Sequence, residues 1–244
     1  VVADFYVSTL WDDSEEAKKA LEEASNRWDK DFLQQYRIGY APNKYDALIS
    51  YANTKGISAE LLLELGMAKY SKNNNLIDVF RGRIMIPIRK RSGRYVAFTG
   101  RTIKAKERDD TPKYINNANT PLFGMDVAAG PAIRADVMYL VEGAPDVLRL
   151  HQIGVKNAVA CLGSAWTDNQ LRQLKHCTTK LCFIPDADPP NLEATNIRDK
   201  HGIGIQAVIK NAKKAISLGF SVMVKEIPVG EKQDSPRKFS YFKQ

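Results

Sequence analysis

Apolar and polar positions in the first third of the chain alternate with a helical period. Residues 12–36 (DDSEEAKKALEEASNRWDKDFLQQY) open on an acidic first turn and predict two short helices. Residues 43–54 and 58–65 predict two more, with breaks around Gly56 and Gly66. The polar block at 71–77 (SKNNNLI) reads as a loop. The period then shortens to two. RIMIPIRK at 83–90 and RYVAFTG at 94–100, on either side of Ser92-Gly93, predict a β-hairpin. Residues 104–121, rich in Asn, Asp and Lys, read as an exposed loop.

From 137 onward, short apolar runs alternate with amphipathic segments. VMYLV (137–141), NAVACLG (157–163), KLCFIP (180–185) and SVMVKEIP (221–228) predict four strands. PDVLRLHQI, TDNQLRQLKHC and IQAVIKNAKKAISLG predict the helices between them, the second with Thr167 or Asp168 as N-cap. Strands and helices in alternation imply a parallel sheet covered on both faces.

Composition narrows the class. With 44% hydrophobic and 26% charged residues, the 244-residue chain is globular rather than disordered. No apolar run approaches the ~18 residues of a membrane span. The chain opens on Val1 without a basic-then-apolar leader, so a fragment of a longer protein is expected. A net charge of +8 favours a polyanionic partner, because each neutralised phosphate releases condensed counterions. Cys161, Cys177 and Cys182 show no zinc-ligand spacing. Two of them fall in predicted buried strands, which fits a reducing, cytoplasmic compartment.

In open parallel sheets, ligands bind at the carboxyl ends of the strands. Glu142 follows the first predicted strand, Asp186 and Asp188 follow the third, and Asp234 lies just beyond the fourth. Each acid alone reads more readily as a solvated loop residue or helix cap, and Asp146 could cap or decorate its helix. Glu-Gly after one strand combined with Asp-Ala-Asp after another points to a hard divalent cation, magnesium or manganese. Arg81, Arg83, Arg89, Arg91, Arg94 and Arg101 crowd the hairpin, with Lys90 among them and Lys113 in the following loop. On a rigid sheet such arginines can grip phosphates with two donors each. A solvated hairpin face is the competing reading.

These residues resemble the catalytic core of bacterial DnaG-type DNA primases. VEGAPDVLRL (141–150), NAVACLGSAWT (157–167) and FIPDADPP (183–190) are similar to that family's Toprim elements. FLQQYRIGYAP (32–42), FRGRIMIPI (80–88), FTGRTI (98–103) and PKYINN (112–117) are similar to its N-terminal elements, in the same order. The resemblance implies an α/β fold: a Toprim-type parallel sheet flanked by helices (131–244), preceded by a mixed α+β basic N-terminal subdomain (1–130). It implies a nucleotidyltransferase that joins ribonucleotides into short RNA primers on single-stranded DNA for replication, by two-metal chemistry with Mg2+ or Mn2+. Glu142, Asp186 and Asp188, with Asp146 in support and Asp234 as a further ligand, then form the catalytic and metal-binding set. Arg81, Arg83, Arg101, Lys113 and Asn116 bind nucleotide or template across a cleft. The implied partners are single-stranded DNA, ribonucleoside triphosphates and, through segments outside these residues, a replicative helicase.

Two positions depart from the family pattern. Met125 stands where the family carries a Lys, and Pro236 where it carries a second Asp after Asp234. A metal-dependent Toprim nuclease would use the same acids without the FRGRIM and PKY blocks. A non-catalytic nucleic-acid-binding module would need none of the acids.

Overall fold

The computed structural model describes residues 1–103, 112–116, 122–163, 165–185 and 203–225. Two compact units emerge: Val1–Ile88 with Tyr95–Thr120, and Arg89–Arg94 with Pro121–Gln244.

The first unit begins with three helices, α1 (Val2–Leu10), α2 (Glu15–Ser25) and α3 (Lys30–Gln35), before strand β1 (Gly39–Ala41). Helix α1 is an addition to the sequence reading. It buries Ala3, Phe5, Tyr6 and Leu10 on one stripe. Helix α2 starts at Ser14, whose hydroxyl accepts from the Ala17 N–H, and its buried stripe is all alanine: Ala17, Ala20 and Ala24. Then come α4 (Ala47–Thr54), α5 (Ala59–Glu64), β2 (Ala68–Tyr70) and β3 (Leu76–Asp78). Strands β2 and β3 pair antiparallel around the polar block, so part of the expected 71–77 loop is strand.

Strands β4 (Arg83–Arg89) and β5 (Tyr95–Thr102) are the expected hairpin. With β6 (Tyr114–Asn116) they build a sheet in the order β1-β4-β5-β6. Residues 83–88 of β4 are all buried, so both faces of this strand are covered. The expected 104–121 loop therefore contains a strand at 114–116; residues 104–111 and 117–121 lie outside the described part.

In the second unit, α6 (Met125–Ala135) precedes β7 (Met138–Val141), α7 (Ala144–Gln152), β8 (Ala158–Ala160), α8 (Asp168–Leu174), β9 (Lys180–Phe183), α9 (Ile203–Ser217) and β10 (Ser221–Val224). The strand order is β10-β9-β7-β8 and every pairing is parallel. Met138 and Leu140 of β7, Val159 of β8, and Leu181 and Phe183 of β9 share one core with residues of α6, α8 and α9. The intervening residues, Tyr139, Val141 and Cys182, turn to the other face by the two-residue period. Thr167 caps α8 in a reciprocal capping box with Gln170. Strand β10 is one edge of the sheet, with Met223 and Val224 exposed.

Candidate active site

The acidic rim grows from the end of β7. Glu142 is the first residue past the strand and is half-buried. Gly143 then caps α7 in extended geometry, with Pro145 in the first turn, where its missing N–H costs nothing. Asp146 sits in the same turn, and its Oδ2 lies 3.4 Å from where a Cβ on Gly143 would stand. The carboxylate is thus folded back toward the chain that carries Glu142, at a helix end that favours negative charge.

The next strand end brings Cys161 into range of Glu142. Burial pushes the Cys161 thiol up, and the charge of Glu142 adds to the effect. The thiol donates to the Gly163 carbonyl at 2.9 Å. Between them Leu162 is held at φ 58°, a left-handed conformation that costs a leucine roughly 1–2 kcal/mol. On the other side of β7, the Ile184 N–H donates to the Leu140 carbonyl at 2.9 Å, so the β9 chain continues alongside β7 past its own last strand residue.

Asp186, Asp188 and Asp234 lie outside the described residues. Among the described residues no three His, Cys, Asp or Glu side chains gather closely enough to hold a metal. The chemistry of those present still suits a hard cation. Glu142 and Asp146 are oxygen donors, and the soft candidate in range of Glu142, Cys161, is kept as a protonated thiol.

The basic candidates of the first unit, Arg81, Arg83, Arg101 and Lys113 with Asn116, divide into two kinds. Arg83 is 4% exposed. Its Nη1 donates to the carbonyls of Gly100 (2.9 Å) and Lys113 (3.3 Å), and its Nη2 to that of Pro112 (2.9 Å). Burial pulls its pKa down from the ordinary guanidinium value. Arg101 is equally enclosed and donates from Nη1 to Glu23 Oε1 at 2.7 Å. These two guanidiniums are engaged inside the unit.

Arg81, Lys113 and Asn116 are of the other kind. Lys113 and Asn116 are exposed, and Asn116 stands opposite Thr99 in the β5–β6 register. The Arg81 guanidinium lies 4.2 Å from the centre of the Tyr45 ring, and Tyr45 is 65% exposed. Sequence reasoning passed over Tyr45. Its signal was an exposed aromatic near the GYAP element, with nothing in the chain order to link it to Arg81.

Arg89 belongs to the second unit, where it pairs with Asp126 at 2.8 Å. Met125 is buried and, with Lys90, Arg91 and His176, lines a groove of 530 Å3 in that unit.

Residues 5–126 match the family described as DNA primase catalytic core, N-terminal domain, and residues 139–235 match the Toprim-like family. The chain belongs to the DnaG-type DNA primase family. A DNA primase of Deinococcus radiodurans is 32% identical over 207 residues, covering 82% of this chain and 34% of its own length. The DNA primase of Listeria monocytogenes is 30% identical over 241 residues, covering 93% and 36%. This primase-family chain therefore spans about a third of the length of those relatives. Among solved structures, the zinc-binding and RNA polymerase domains of the Aquifex aeolicus primase superpose with a TM-score of 0.80 at 29% identity. That likeness covers 99% of this chain and 56% of the other. A DnaG primase catalytic domain bound to ssDNA gives 0.79 at 25% identity, covering 98% and 76%.

Proposed function

We propose that this chain is the polymerising core of a primase, a nucleotidyltransferase that builds short RNA on single-stranded DNA from ribonucleoside triphosphates. The observation that carries the reading is the ordered match of both halves to primase-core and Toprim families, with Glu142 retained at the carboxyl end of β7. In the reaction, a 3′-hydroxyl oxygen attacks the α-phosphorus of the incoming nucleotide as the bond to pyrophosphate breaks. Glu142, Asp186 and Asp188 would hold magnesium or manganese, with Asp146 supporting and Asp234 a further candidate. When bound, the cation would supply Lewis-acid stabilisation of the phosphate oxygens and of the attacking hydroxyl. The carboxylates would fix the position of that cation, and through it the line of attack.

In the first unit, the proposed template surface is Arg81 stacked on Tyr45, with Lys113 and Asn116 as further polar contacts. An exposed tyrosine backed by a guanidinium offers a base a stacking partner without regard to sequence. Arg83 and Arg101 are assigned to holding that surface in shape. A replicative helicase is the proposed partner of the full-length protein.

The test is incorporation of labelled ribonucleotides on mixed-sequence single-stranded DNA with magnesium or manganese. Wild type is compared with Glu142→Gln and Asp186→Asn/Asp188→Asn. Metal-dependent oligoribonucleotides from wild type alone are expected. Shortened template would identify a nuclease instead, and salt-sensitive binding without product would identify a binding module.

A further inference from the structure

Asp78 closes β3 and is 2% exposed. Its Oδ2 accepts from the Leu48 N–H at 2.8 Å, and its Oδ1 from the Ile49 N–H at 3.2 Å. Its own N–H donates to the Tyr45 carbonyl at 2.6 Å. One residue thus makes three bonds to the segment 45–49, where α4 begins. The local N-cap of α4, Asp46, makes no side-chain cap bond, so the cap arrives from a distant strand.

The two ends of this clamp carry the stacked pair. Tyr45 contributes the carbonyl that Asp78 binds, and Arg81 follows Asp78 by three residues before lying over the Tyr45 ring. We propose that Asp78 is a positioning residue for template binding, setting the Tyr45–Arg81 stack by pinning the start of α4 to the end of β3. This rests on the reading of that pair as a template surface.

Capping alone does not call for a carboxylate here, because a serine or asparagine caps a helix as well. Two oxygens on two successive N–H groups are a geometry that an amide side chain cannot reproduce, since one of its ends only donates. The carboxylate is retained against a cost: burial pushes the Asp78 carboxyl up to about 6, with Asp46 adding to the rise. The Leu48 and Ile49 amides and Arg81 act in the opposite direction. Tyr6, also buried, is a further titratable group in electrostatic range among the described residues.

Affinity for a labelled mixed-sequence DNA single strand, measured by fluorescence anisotropy, tests the assignment in wild type, Asp78→Asn, Tyr45→Ala and the double variant. Asp78→Asn should weaken binding by about 3–10-fold in the wild-type background and by less than about twofold when Tyr45 is already alanine, since coupled neighbours are non-additive. Losses that multiply in the double variant would overturn the assignment and leave Asp78 a general support of the fold. Tyr45→Ala with wild-type affinity would overturn the template reading of the pair, and this inference with it. Should Asp78→Asn not fold, the pH dependence of wild type and Tyr45→Ala decides the matter. Wild-type affinity should fall more steeply than that of Tyr45→Ala as pH drops from 7 to 5; parallel profiles would refute the clamp.

Discussion

Arg101, near the end of β5, donates from Nη1 to Glu23 Oε1 on α2 at 2.7 Å, and Arg27 reaches the same oxygen at 3.2 Å. A helix is tied to the sheet through a guanidinium that is almost wholly enclosed. Removing one partner of a buried pair leaves the other charge unpaired, which costs about 3–5 kcal/mol in a dry site. Glu23 is one-third exposed, so screening lowers the expectation to roughly 1–2 kcal/mol. Glu23→Ala should lower the urea midpoint accordingly, and an unchanged midpoint would mean that Arg101 finds another partner.

The contrast between Arg81 and Arg83 predicts different salt dependences. Each phosphate neutralised on a single strand contributes about 0.7 to the slope of log affinity against log salt. Arg81→Gln should reduce the slope by roughly that amount. Arg83→Gln should leave it nearly unchanged, because its guanidinium faces three backbone carbonyls rather than solvent. It should instead lower stability by about 1–3 kcal/mol through the loss of the charged bonds to the Gly100 and Pro112 carbonyls. Binding isotherms between 50 and 300 mM salt distinguish the two. Equal reductions in slope would return Arg83 to the template surface.

The strands were legible because their apolar runs are bounded by turn residues, and the helices between them because their apolar stripes are regular. Helix α6 escaped that reading. Gly130 and Pro131 interrupt its period, and its buried face is largely Ala128, Ala129 and Ala132, which contrast little with their neighbours. Strands β2 and β3 have three residues each, too few for a two-residue period to register. At the site, Glu142 was visible because an acid directly after an apolar run is a local pattern. Tyr45 and Asp78 were not, because their roles lie in contacts about thirty residues apart in sequence. In FRGRIM, charge alone does not say which arginine turns inward. Gly82, at φ 58°, swings the chain so that β4 begins at Arg83 and takes that side chain into the unit.

His151 predicts a pH dependence for the second unit. The ring is fully buried against the Ala158 carbonyl, 3.0 Å from Nε2, and burial pulls its pKa from 6.5 to about 4. Between those values the unfolded chain binds a proton that the folded chain refuses, so stability falls as pH drops from 6.5 to 4 and levels off below. The span corresponds to about 3 kcal/mol. Asp78 works the other way, since its raised pKa makes the folded form gain stability as pH falls from about 6 toward 3.8. The wild-type curve alone mixes the two. The difference between wild type and His151→Leu, taken from urea unfolding at pH 4 to 7, isolates the histidine. A difference that does not change with pH would show that the ring takes up its proton alike in the folded and unfolded chain, without the shift that burial imposes.

Two motif glycines differ in what surrounds them, and their alanine variants should differ in kind. A Cβ on Gly39 would stand 2.6 Å from Tyr6 Cβ and against the Tyr6 backbone, so α1 itself would have to move away from β1. A Cβ on Gly100 would meet Phe80 Cδ1 at 2.7 Å, Arg83 Cδ at 3.1 Å and Met85 Sδ at 3.2 Å, all of them side-chain atoms. Overpacking relieved by side-chain movement typically costs about 1–3 kcal/mol, whereas displacing a helix costs more. Gly39→Ala should therefore destabilise the first unit by more than about 3 kcal/mol and Gly100→Ala by about 1–2 kcal/mol. The second variant carries an additional signature: Arg83 is among the atoms displaced, and its bonds hold Pro112 and Lys113 in place. Amide exchange at Thr102, which donates to the Lys113 carbonyl at 3.0 Å, should accelerate in Gly100→Ala even where global stability is little changed. Equal losses in the two variants, with Thr102 exchange unaltered, would mean that α1 yields as easily as a side chain and that Arg83 does not depend on the space Gly100 leaves open.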